Sequence, residues 1–356
     1  MDKLQQARQI INQVDKEMAS LYRQRMEAVK MVLEHKLEHN LPVLDTAREQ
    51  AVIAQNSGYV DKELRPYYTA FLQDLMKNSR RYQKDHMAPA TVAYQGVEGA
   101  FSHIVADTLF ESSEKKQYKT FAEVVKAVQS GEADAGILPF ENSYTGEVGD
   151  VLDLLYESDV RITKMFDLQI TQNLLSLPDA GLSDIKTVYS HPQALAQSAL
   201  FLSGLGAQQI PYPNTAAAAK FVKEQGDISA AAIASEQTAK LYGLKVLAPK
   251  INTSAQNTTR FIVISNSLKT GGDRFGILFS IENEAGSLAE VIGLISQYGF
   301  NMESIHSRSK KELPWEYYFY IQLQGDMADD AAAKMLQKLA KVCKEVKILG
   351  SFDFER

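Results

Sequence analysis

Charged and polar side chains interrupt two otherwise apolar helical stripes near the start of the chain. Arg25 occupies a stripe position, seven residues after Met18 and seven before Val32. A charge at such a position must be paired or functional, because an unpaired buried charge is very costly. Ser79 and Gln83, spaced i and i+4, likewise continue the apolar stripe of a later helix. These side chains predict a cationic, polar cavity inside a helical bundle; the alternative is a solvated charged face or a register-setting polar layer.

The long first helix is predicted from its periodicity. Residues 3–37 contain neither Gly nor Pro, and their apolar positions alternate three and four residues apart, as in a coiled-coil seam. Arg8 and Lys36 lie on the flank of this seam. Such a helix would exceed about 50 Å in length and, being polar outside its stripe, needs partners.

Two further helices are predicted before residue 87. Pro42 ends the first pattern, Asp45 is placed as the N-cap of a second helix, and a third helix follows Pro66. Three helices are too few to bury the seam of the first, so the sequence predicts an all-α three-helix domain over residues 1–87 that forms an intertwined dimer.

A second group of polar residues lies at the ends of predicted strands in the region 91–268. Strand-like runs alternate there with helices, which predicts an α/β domain with mostly parallel strands. Clustered polar segments occupy residues 95–102, 139–146, 190–195 and 257–261. Ligands commonly bind at such strand ends in open α/β sheets. A plain tight turn explains the Gly-rich first segment equally well, and Ser190 could simply cap the helix that begins at Pro192.

The last part of the chain follows a linker at residues 269–273. Its predicted elements have the order βαββαβ, the pattern of an α+β ferredoxin-like domain over residues 274–356.

Composition limits the function classes. The net charge of −6 disfavours nucleic acid as a partner. A single cysteine, Cys343, excludes an internal disulfide framework and a thiolate metal cluster. No stretch approaches the roughly 18–20 apolar residues of a membrane span, and no apolar signal region opens the chain. We therefore expect no membrane partner, a cytoplasmic location, and neither cofactor nor metal.

Residues 1–87 resemble the all-helical chorismate mutase family. The resemblance rests on an ordered set of positions that match the ligand-binding residues of that family: Arg8, Arg25, Lys36, Asp45, Arg48, Glu49, Ser79 and Gln83. It implies that chorismate is held as a compact conformer and rearranged to prephenate without a nucleophile or proton transfer.

The same resemblance implies individual roles. Lys36 and Gln83 would donate to the breaking ether oxygen, and Arg8 would reach in from the dimer partner. Asp45 and Glu49 would position the ring hydroxyl. Arginines suit the two carboxylates of chorismate because each guanidinium donates two hydrogen bonds.

Residues 91–268 resemble prephenate dehydratases over their whole length. The matching motifs are the Gly-rich opening, Glu-Asn-Ser-x-x-Gly at 141–146, Ser-His-Pro-Gln-Ala at 190–194 and Thr-Thr-Arg-Phe at 258–261. The resemblance implies a two-lobed shape like a periplasmic binding protein, with the second lobe at about 167–245. It also implies that prephenate loses its hydroxyl and carbon dioxide to give phenylpyruvate, with Thr259 as the catalytic hydroxyl. Arg260 would anchor a carboxylate, and the other lining residues would be Asn142, Ser143, Ser190 and Thr258.

Residues 275–353 resemble ACT domains, which pair as dimers and bind amino acids at the shared edge. The two segments that contact phenylalanine in this family correspond here to Gly286-Ser287-Leu288 and to His306-Ser307-Arg308-Ser309. The glutamate and proline of the family's second motif are absent. L-phenylalanine is therefore an expected effector, bound by Gly286, Ser287, Leu288, Ser307 and Arg308, and a purely structural dimerisation module is the alternative.

Two other functions remain compatible with the residues. One is a metabolite-binding regulatory protein, although no basic DNA-reading helix is present. The other is a middle domain that prefers arogenate, the aminated relative of prephenate. The fused mutase makes prephenate, so the sequence favours a bifunctional enzyme of phenylalanine biosynthesis that works as a homodimer or a higher homo-oligomer.

Overall fold

The computed structural model describes residues 2–38, 45–85, 90–254, 256–311 and 315–355. The chain divides into two compact units, Met1–Ala88 and Pro89–Arg356. Of the helices described, none combines the length and apolar character needed to span a membrane.

The first unit is helical, as predicted. Its helices are α1 (Lys3–Glu38), α2 (Thr46–Asn56) and α3 (Arg65–Asp85), with a 3₁₀ turn at Ser57–Tyr59. The predicted cap of α2 is confirmed, because the carboxylate of Asp45 accepts a hydrogen bond from the backbone N–H of Arg48 at 2.9 Å. This contact satisfies one of the backbone donors left free at the start of a helix.

The apolar seam of α1 is largely exposed in the single chain. Val29 and Leu33 of α1 are buried, as are Leu72 and Met76 of α3. By contrast, much of the remaining seam is about half exposed: Leu4, Ile11, Val14, Met18, Leu21 and Val32. The core of one chain therefore covers only the C-terminal third of the long helix.

Every strand in the described part of the chain belongs to the second unit. In chain order its elements are β1 (Thr91–Gln95), α4 (Phe101–Leu109), β2 (Glu114–Tyr118), α5 (Phe121–Ser130), β3 (Ala135–Asn142), β4 (Gly146–Glu147), α6 (Gly149–Glu157), β5 (Arg161–Gln169), β6 (Asn173–Ser176), β7 (Thr187–Ser190), α7 (Pro192–Gln197), α8 (Ala199–Leu205), β8 (Gln208–Pro211), α9 (Thr215–Gln225), β9 (Ala230–Ala234), α10 (Glu236–Tyr242), β10 (Lys245–Ala248), β11 (Thr258–Ser265), β12 (Arg274–Ser280), α11 (Ser287–Gln297), β13 (Asn301–Ser309), β14 (Tyr317–Gln324), α12 (Asp330–Val342) and β15 (Glu345–Glu355).

These strands form two sheets. The larger sheet has the order β13-β14-β12-β15-β5-β11-β3-β1-β2, with β4 paired to β3, and the smaller has the order β10-β6-β9-β7-β8. The prediction of mostly parallel strands is wrong. β5 and β11 run antiparallel to each other, and β6 runs antiparallel to β9 and β10, because these segments carry the chain between the two sheets. Only the pairs β1–β2, β1–β3, β7–β8 and β7–β9 of this region are parallel.

The C-terminal elements β12 to β15 and α11 to α12 follow one another in the predicted order βαββαβ. Their sheet joins the larger sheet through β15, whose last residues pair in parallel with Lys164, Met165 and Phe166 of β5. The predicted linker is packed along this junction, since Lys269 accepts a backbone hydrogen bond from Ser351 and its ammonium lies 2.8 Å from Asp353.

A buried carboxylate ties α6 to this C-terminal region. Asp153 of α6 is 3% exposed and accepts two hydrogen bonds from the guanidinium of Arg308, at 3.1 and 2.9 Å. The hydroxyl of Tyr318 donates to the same carboxylate at 2.6 Å, and Lys311 lies 3.1 Å away. Burial alone would raise the pKa of Asp153, but the bonds from Arg308, Tyr318 and Lys311 outweigh burial and lower it to about 2.

We expect Asp153→Asn to lower the free energy of unfolding of the second unit by about 2 kcal/mol, because Arg308 and Tyr318 lose a charged acceptor. A carboxyl with a depressed folded-state pKa stabilises the fold above its unfolded value of about 3.9. The wild-type advantage should therefore shrink as the pH falls from about 4 towards about 2. Urea unfolding followed by circular dichroism at several pH values measures both effects.

The matched control for this prediction is Asp150→Asn, because Asp150 is an exposed carboxylate on the same helix. It should cost under about 1 kcal/mol. Equal losses from the two substitutions at pH 7 would contradict a special role for Asp153.

Candidate active sites

A cavity of about 330 Å³ opens among the three helices of the first unit. It gathers seven of the eight side chains that the sequence assigned to the mutase site: Arg25, Lys36, Asp45, Arg48, Glu49, Ser79 and Gln83. Of these residues, α1 supplies Arg25 and Lys36, and α3 supplies Ser79 and Gln83. The cap and first turn of α2 supply Asp45, Arg48 and Glu49.

Arg25 is fixed in this cavity by the opposite helix. Its guanidinium donates a hydrogen bond to the hydroxyl of Ser79, which in turn donates to the carbonyl of Leu75 at 2.8 Å. Burial lowers the pKa of Arg25, because a charged group loses solvation as it leaves water. A partly desolvated guanidinium held by one neutral hydroxyl retains most of its donors for an anionic ligand.

Gln83 carries unused hydrogen-bonding capacity into the same space. Its side chain is 6% exposed, and its amide oxygen has no hydrogen-bond partner among the residues described. A buried acceptor without a partner is costly, so a ligand group that donates a hydrogen bond to the amide oxygen would relieve this cost.

Arg8 does not line the cavity and is exposed on α1. It precedes Arg25 by 17 residues on one continuous helix, which separates the two by about 25 Å along the axis at 1.5 Å per residue. No rearrangement of side chains within one chain brings them together.

Arg80 is a cavity residue that the sequence analysis missed. It lines the cavity between Ser79 and Gln83 and forms an ion pair with Glu49 of α2. The available signal was its position, three residues before Gln83 and therefore on a neighbouring part of the same helical face.

The second site is organised by Asn142 at the end of β3. Its side-chain N–H groups face three acceptors: Asn257 Oδ1 at 2.9 Å, the carbonyl of Thr258 at 3.2 Å and Thr259 Oγ1 at 2.8 Å. Its side-chain oxygen, Oδ1, accepts hydrogen bonds from the backbone N–H groups of residues 144 and 145, at 3.0 and 3.2 Å. Asn142 is 5% exposed, so this network holds the Thr259 hydroxyl rigidly beside the turn that follows β3.

Ser143 joins the same two segments from the other side of the turn. Its hydroxyl accepts from the backbone N–H of Thr258 at 3.0 Å and donates to the carbonyl of Gln256 at 3.1 Å. Asn142, Ser143, Thr258 and Thr259 are thus brought together at the adjoining ends of β3 and β11.

Arg260 lies on the opposite face of the sheet from Thr259. Adjacent residues of a strand point to opposite faces, and the partners agree with this rule. Thr259 contacts Asn142, whereas the guanidinium of Arg260 donates to both oxygens of Asp167 on β5, at 2.9 and 3.1 Å, with Glu141 3.8 Å away. The structure therefore does not bring Arg260 to the hydroxyl of Thr259.

Ser190 and His191 occupy the end of β7 in the smaller sheet. The Ser190 hydroxyl is fully buried and donates to the carbonyl of Ile233 at 2.7 Å, so it supports the sheet. Ser190 is not the helix cap: His191 Nδ1 accepts from the backbone N–H of Gln193 at 3.2 Å, and Pro192 follows in the first turn. Burial lowers the pKa of His191.

Polar bridges from α7 reach the Asn142 network and were not predicted. The Gln193 amide donates to the hydroxyl of Thr145 at 3.1 Å, and Asn257 donates to Gln197 Oε1 at 2.9 Å. The Nε2 group of Gln197 is buried and has no partner within the part of the chain described. Gln193 and Asn257 stand inside or beside the quoted motifs, which was the signal that could have found them.

The Gly-rich segment packs on α10 of the smaller-sheet lobe. Thr238 donates to the carbonyl of Gly99 at 2.9 Å, and Tyr242 donates to the carbonyl of Glu98 at 2.7 Å. Gly99 has φ +87°, and a Cβ there would lie 3.1 Å from Leu241. Packing against α10 therefore accounts for this glycine.

The predicted effector residues lie in two places in the C-terminal region, the start of α11 and the edge strand β13. Gly286, with φ +95°, precedes α11, which begins at Ser287 and Leu288. Ser307 is exposed on the edge strand β13, while Arg308 is engaged by Asp153. Within the described ranges, no group of three or more His, Cys, Asp or Glu side chains is arranged to hold a metal ion.

Comparison with known proteins matches two ranges of the chain to known families. Residues 7–84 match the family model of chorismate mutase type II, and residues 92–269 match that of prephenate dehydratase. A bifunctional chorismate mutase/prephenate dehydratase of Aquifex aeolicus is 33% identical over 361 residues, covering 99% of this chain and 98% of the relative. That of Buchnera aphidicola from Acyrthosiphon pisum is 30% identical and covers 97% of this chain and 95% of the relative.

A solved structure agrees with the second match. The prephenate dehydratase of Arthrobacter aurescens in complex with L-Phe is 29% identical, with a TM-score of 0.69, and the match covers 74% of this chain and 90% of that one. From the two family matches and the full-length relatives, the chain belongs to the family of bifunctional chorismate mutase/prephenate dehydratases.

Proposed function

We propose that the helical cavity rearranges chorismate to prephenate and that the Asn142–Thr259 site converts prephenate to phenylpyruvate. The observation that carries this proposal is the shared position of Arg25, Lys36 and Gln83 in one cavity. A dianionic substrate requires such a concentration of donors, whereas a solvated face would have spread them around the helices.

The charge of the cavity matches the substrate. Among the described residues that line it, four are basic and two are acidic, which leaves two positive charges for the two carboxylates of chorismate. Arg25 binds a carboxylate, and Lys36 and Gln83 donate to the ether oxygen on which charge develops as the bond breaks. Because no proton moves, catalysis consists of holding the compact conformer and stabilising that oxygen.

The dimer supplies the remaining residue. The exposed seam of α1, from Leu4 to Leu21, is covered when a second copy packs along it, and Arg8 then enters the partner's cavity. This arrangement explains why Arg8 lies about 25 Å from its own Arg25.

In the second reaction, the ring loses its hydroxyl and its ring carboxylate leaves as carbon dioxide, so that the ring becomes aromatic. Thr259 Oγ1 already accepts a hydrogen bond from Asn142, which leaves its own O–H free to donate a hydrogen bond to the departing hydroxyl. That hydroxyl leaves as water once it has taken up one proton, which solvent supplies. Ser143 and Thr258 line the same place. Arg260 contributes from the other face of the sheet, where its guanidinium binds the carboxylate of Asp167. Ser190 contributes from the smaller sheet, where its hydroxyl donates to the carbonyl of Ile233.

The C-terminal region is an ACT domain in this proposal, and phenylalanine is its effector. Support comes from the βαββαβ order and from the similar dehydratase that was solved with L-Phe. The ligand would contact Gly286 to Leu288 and Ser307. A route to the second site exists, since Tyr320 packs edge-on against Phe140, with ring centroids 5.0 Å apart, two residues before Asn142. Regulation requires that phenylalanine bind two states with different affinity.

Domain borders at 1–87, 91–268 and 274–356, and a cytoplasmic location, complete the proposal. The first border lies beside the division between the two compact units.

The test of the function supplies purified protein with chorismate alone and follows phenylpyruvate by absorbance, without added cofactor or metal and with a chelator present. We expect phenylpyruvate to form after a lag in which prephenate appears. Prephenate that accumulates without phenylpyruvate would defeat the second assignment. Added prephenate that is consumed while chorismate is not would defeat the first.

Millimolar phenylalanine in the same assay tests the effector separately. We expect a lower rate of phenylpyruvate formation and measurable heat in titration calorimetry. Unchanged rates with no heat of binding would leave the two activities standing and reduce the C-terminal region to a dimerisation module.

A further inference from the structure

Arg80 is the basic residue of the mutase cavity that no sequence motif assigned, and its partner is an acid of the same cavity. Its guanidinium pairs with Glu49 Oε1, and the two side chains are 28% and 27% exposed. Both residues line the cavity. The pair is therefore part of the cavity wall, in contrast to the weak ion pairs of a fully exposed surface.

The pair also fixes the position of α2. None of the eleven residues of α2, all of them within the described part, is buried. Its apolar contribution to the cavity is the half-buried Val52, and it also provides Arg48 and Glu49. Asp45 is committed to the cap of α2 through the backbone N–H of Arg48. The Glu49–Arg80 pair therefore adds a charged contact between α2 and the polar stripe of α3 to the packing of Val52.

We propose that Arg80 is a positioning residue of the mutase reaction, which acts by holding Glu49 in place as the acceptor for the ring hydroxyl of chorismate. The inference rests on the proposed function of this cavity. Arg80 adds two things. It orients the Glu49 carboxylate before substrate arrives, and it keeps the cavity at two positive charges, so that a dianion enters without repulsion from an uncompensated carboxylate.

The two contributions of Arg80, the orientation of Glu49 and the net charge of the cavity, affect different kinetic constants. Orientation of Glu49 affects the rearrangement itself and therefore kcat, whereas the net charge of the cavity affects mainly substrate binding and therefore KM. If Arg80 acts through Glu49, its effect on kcat must disappear once Glu49 has lost its charge.

The experiment measures mutase kcat and KM with chorismate for Arg80→Gln, Glu49→Gln and the double variant, in the full-length protein. We expect Arg80→Gln to lower kcat about tenfold, the cost of a small displacement of a group that contacts substrate. In the Glu49→Gln background the same substitution should change kcat by less than about twofold, because the coupling partner is gone. Arg80→Lys should restore at least half of the lost kcat, since the lysine ammonium can still donate a charged hydrogen bond to the Glu49 carboxylate and so orient it.

Two controls make each outcome decisive. Arg65→Gln is the matched variant, because Arg65 is an exposed arginine on α3 outside the cavity, and it should leave kcat unchanged. Far-ultraviolet circular dichroism measures whether the helical unit of each variant is folded, and the rate with added prephenate measures the amount of intact second unit. Should Arg80→Gln fail to fold, the Arg80→Lys variant in both Glu49 backgrounds gives the same coupling.

Three results overturn the proposal. An unchanged kcat in Arg80→Gln removes the role. Equal losses of kcat with and without the Glu49 charge place Arg80 on the substrate itself. Failure of Arg80→Lys to restore any kcat would show that a cationic donor beside Glu49 does not account for the effect. None of these results touches the proposed function, which fails only if the wild-type protein does not rearrange chorismate.

Discussion

Replacing Thr259 by valine is expected to stop the reaction sequence at prephenate. Chorismate is still consumed, but the rate of phenylpyruvate formation falls by about 10²–10³-fold, which is the usual contribution of a positioned proton donor. Valine keeps the shape of threonine but lacks the hydroxyl. Asn142, which donates to Thr259 Oγ1 at 2.8 Å, still has Asn257 and the Thr258 carbonyl as acceptors, so the network persists without Thr259. The measurement is a time course of both products from chorismate.

Two further variants separate the missing hydroxyl from a change of fold. Thr259→Ser restores the hydroxyl and should recover most of the activity. Thr163→Val removes a threonine hydroxyl from the adjacent strand β5, where it donates to the carbonyl of Val263 at 3.3 Å, and should leave both rates near wild type. A Thr259→Val protein that keeps more than a tenth of the wild-type rate would show that the hydroxyl does not take part in the departure of the leaving group.

Local sequence signals predicted the helices well because those helices depend on local properties. α1 is continuous from Lys3 to Glu38 since no residue in it breaks a helix, and Asp45 caps α2 because its short carboxylate reaches the free backbone donors. Strand direction depends instead on where the chain crosses between sheets. β6 runs antiparallel to β9, and β11 runs antiparallel to β5. An apolar run in the sequence indicates a strand but not the direction in which that strand pairs.

Site residues divide in the same way. The positions of Asn142 and Thr259 followed from motifs, and the structure joins them through adjoining strand ends. Arg260 and Arg308 were assigned to ligands because they stand in segments that resemble dehydratase and ACT motifs. The structure pairs them with Asp167 and Asp153, acids that no motif marked, since a sequence gives the type of a side chain but not the partner that folding brings to it.

Residues that act across chains or helices were the hardest to place. Arg8 has a definite position on α1, but its proposed target lies in a second copy. Arg80 was missed because its importance comes from Glu49, which is 31 residues earlier in the chain. The role of a charged residue beside a polar stripe can be inferred only when the residues that the neighbouring helix places against it are known.

Substituting Arg25 by alanine is expected to have the opposite effect to Thr259→Val: mutase kcat/KM falls by about 10³-fold, as expected when one partner of a buried, charge-assisted contact is removed. The loss is large because Arg25 is partly desolvated, so its bond to a carboxylate is made without competition from water. The reaction is followed by the disappearance of chorismate. The same protein should consume added prephenate at the wild-type rate, which serves as its internal control.

Arg25→Lys distinguishes the charge of this side chain from its shape. Lysine keeps one positive charge but cannot donate two parallel hydrogen bonds to a carboxylate while a third donor binds Ser79. We expect activity between those of the alanine variant and the wild type. If alanine left the mutase rate unchanged, the cavity among α1, α2 and α3 would not be where chorismate reacts, and the roles proposed for Lys36, Gln83 and Arg80 would fail with it. The Thr259 site would be unaffected, since its assignment depends on the Asn142 network alone.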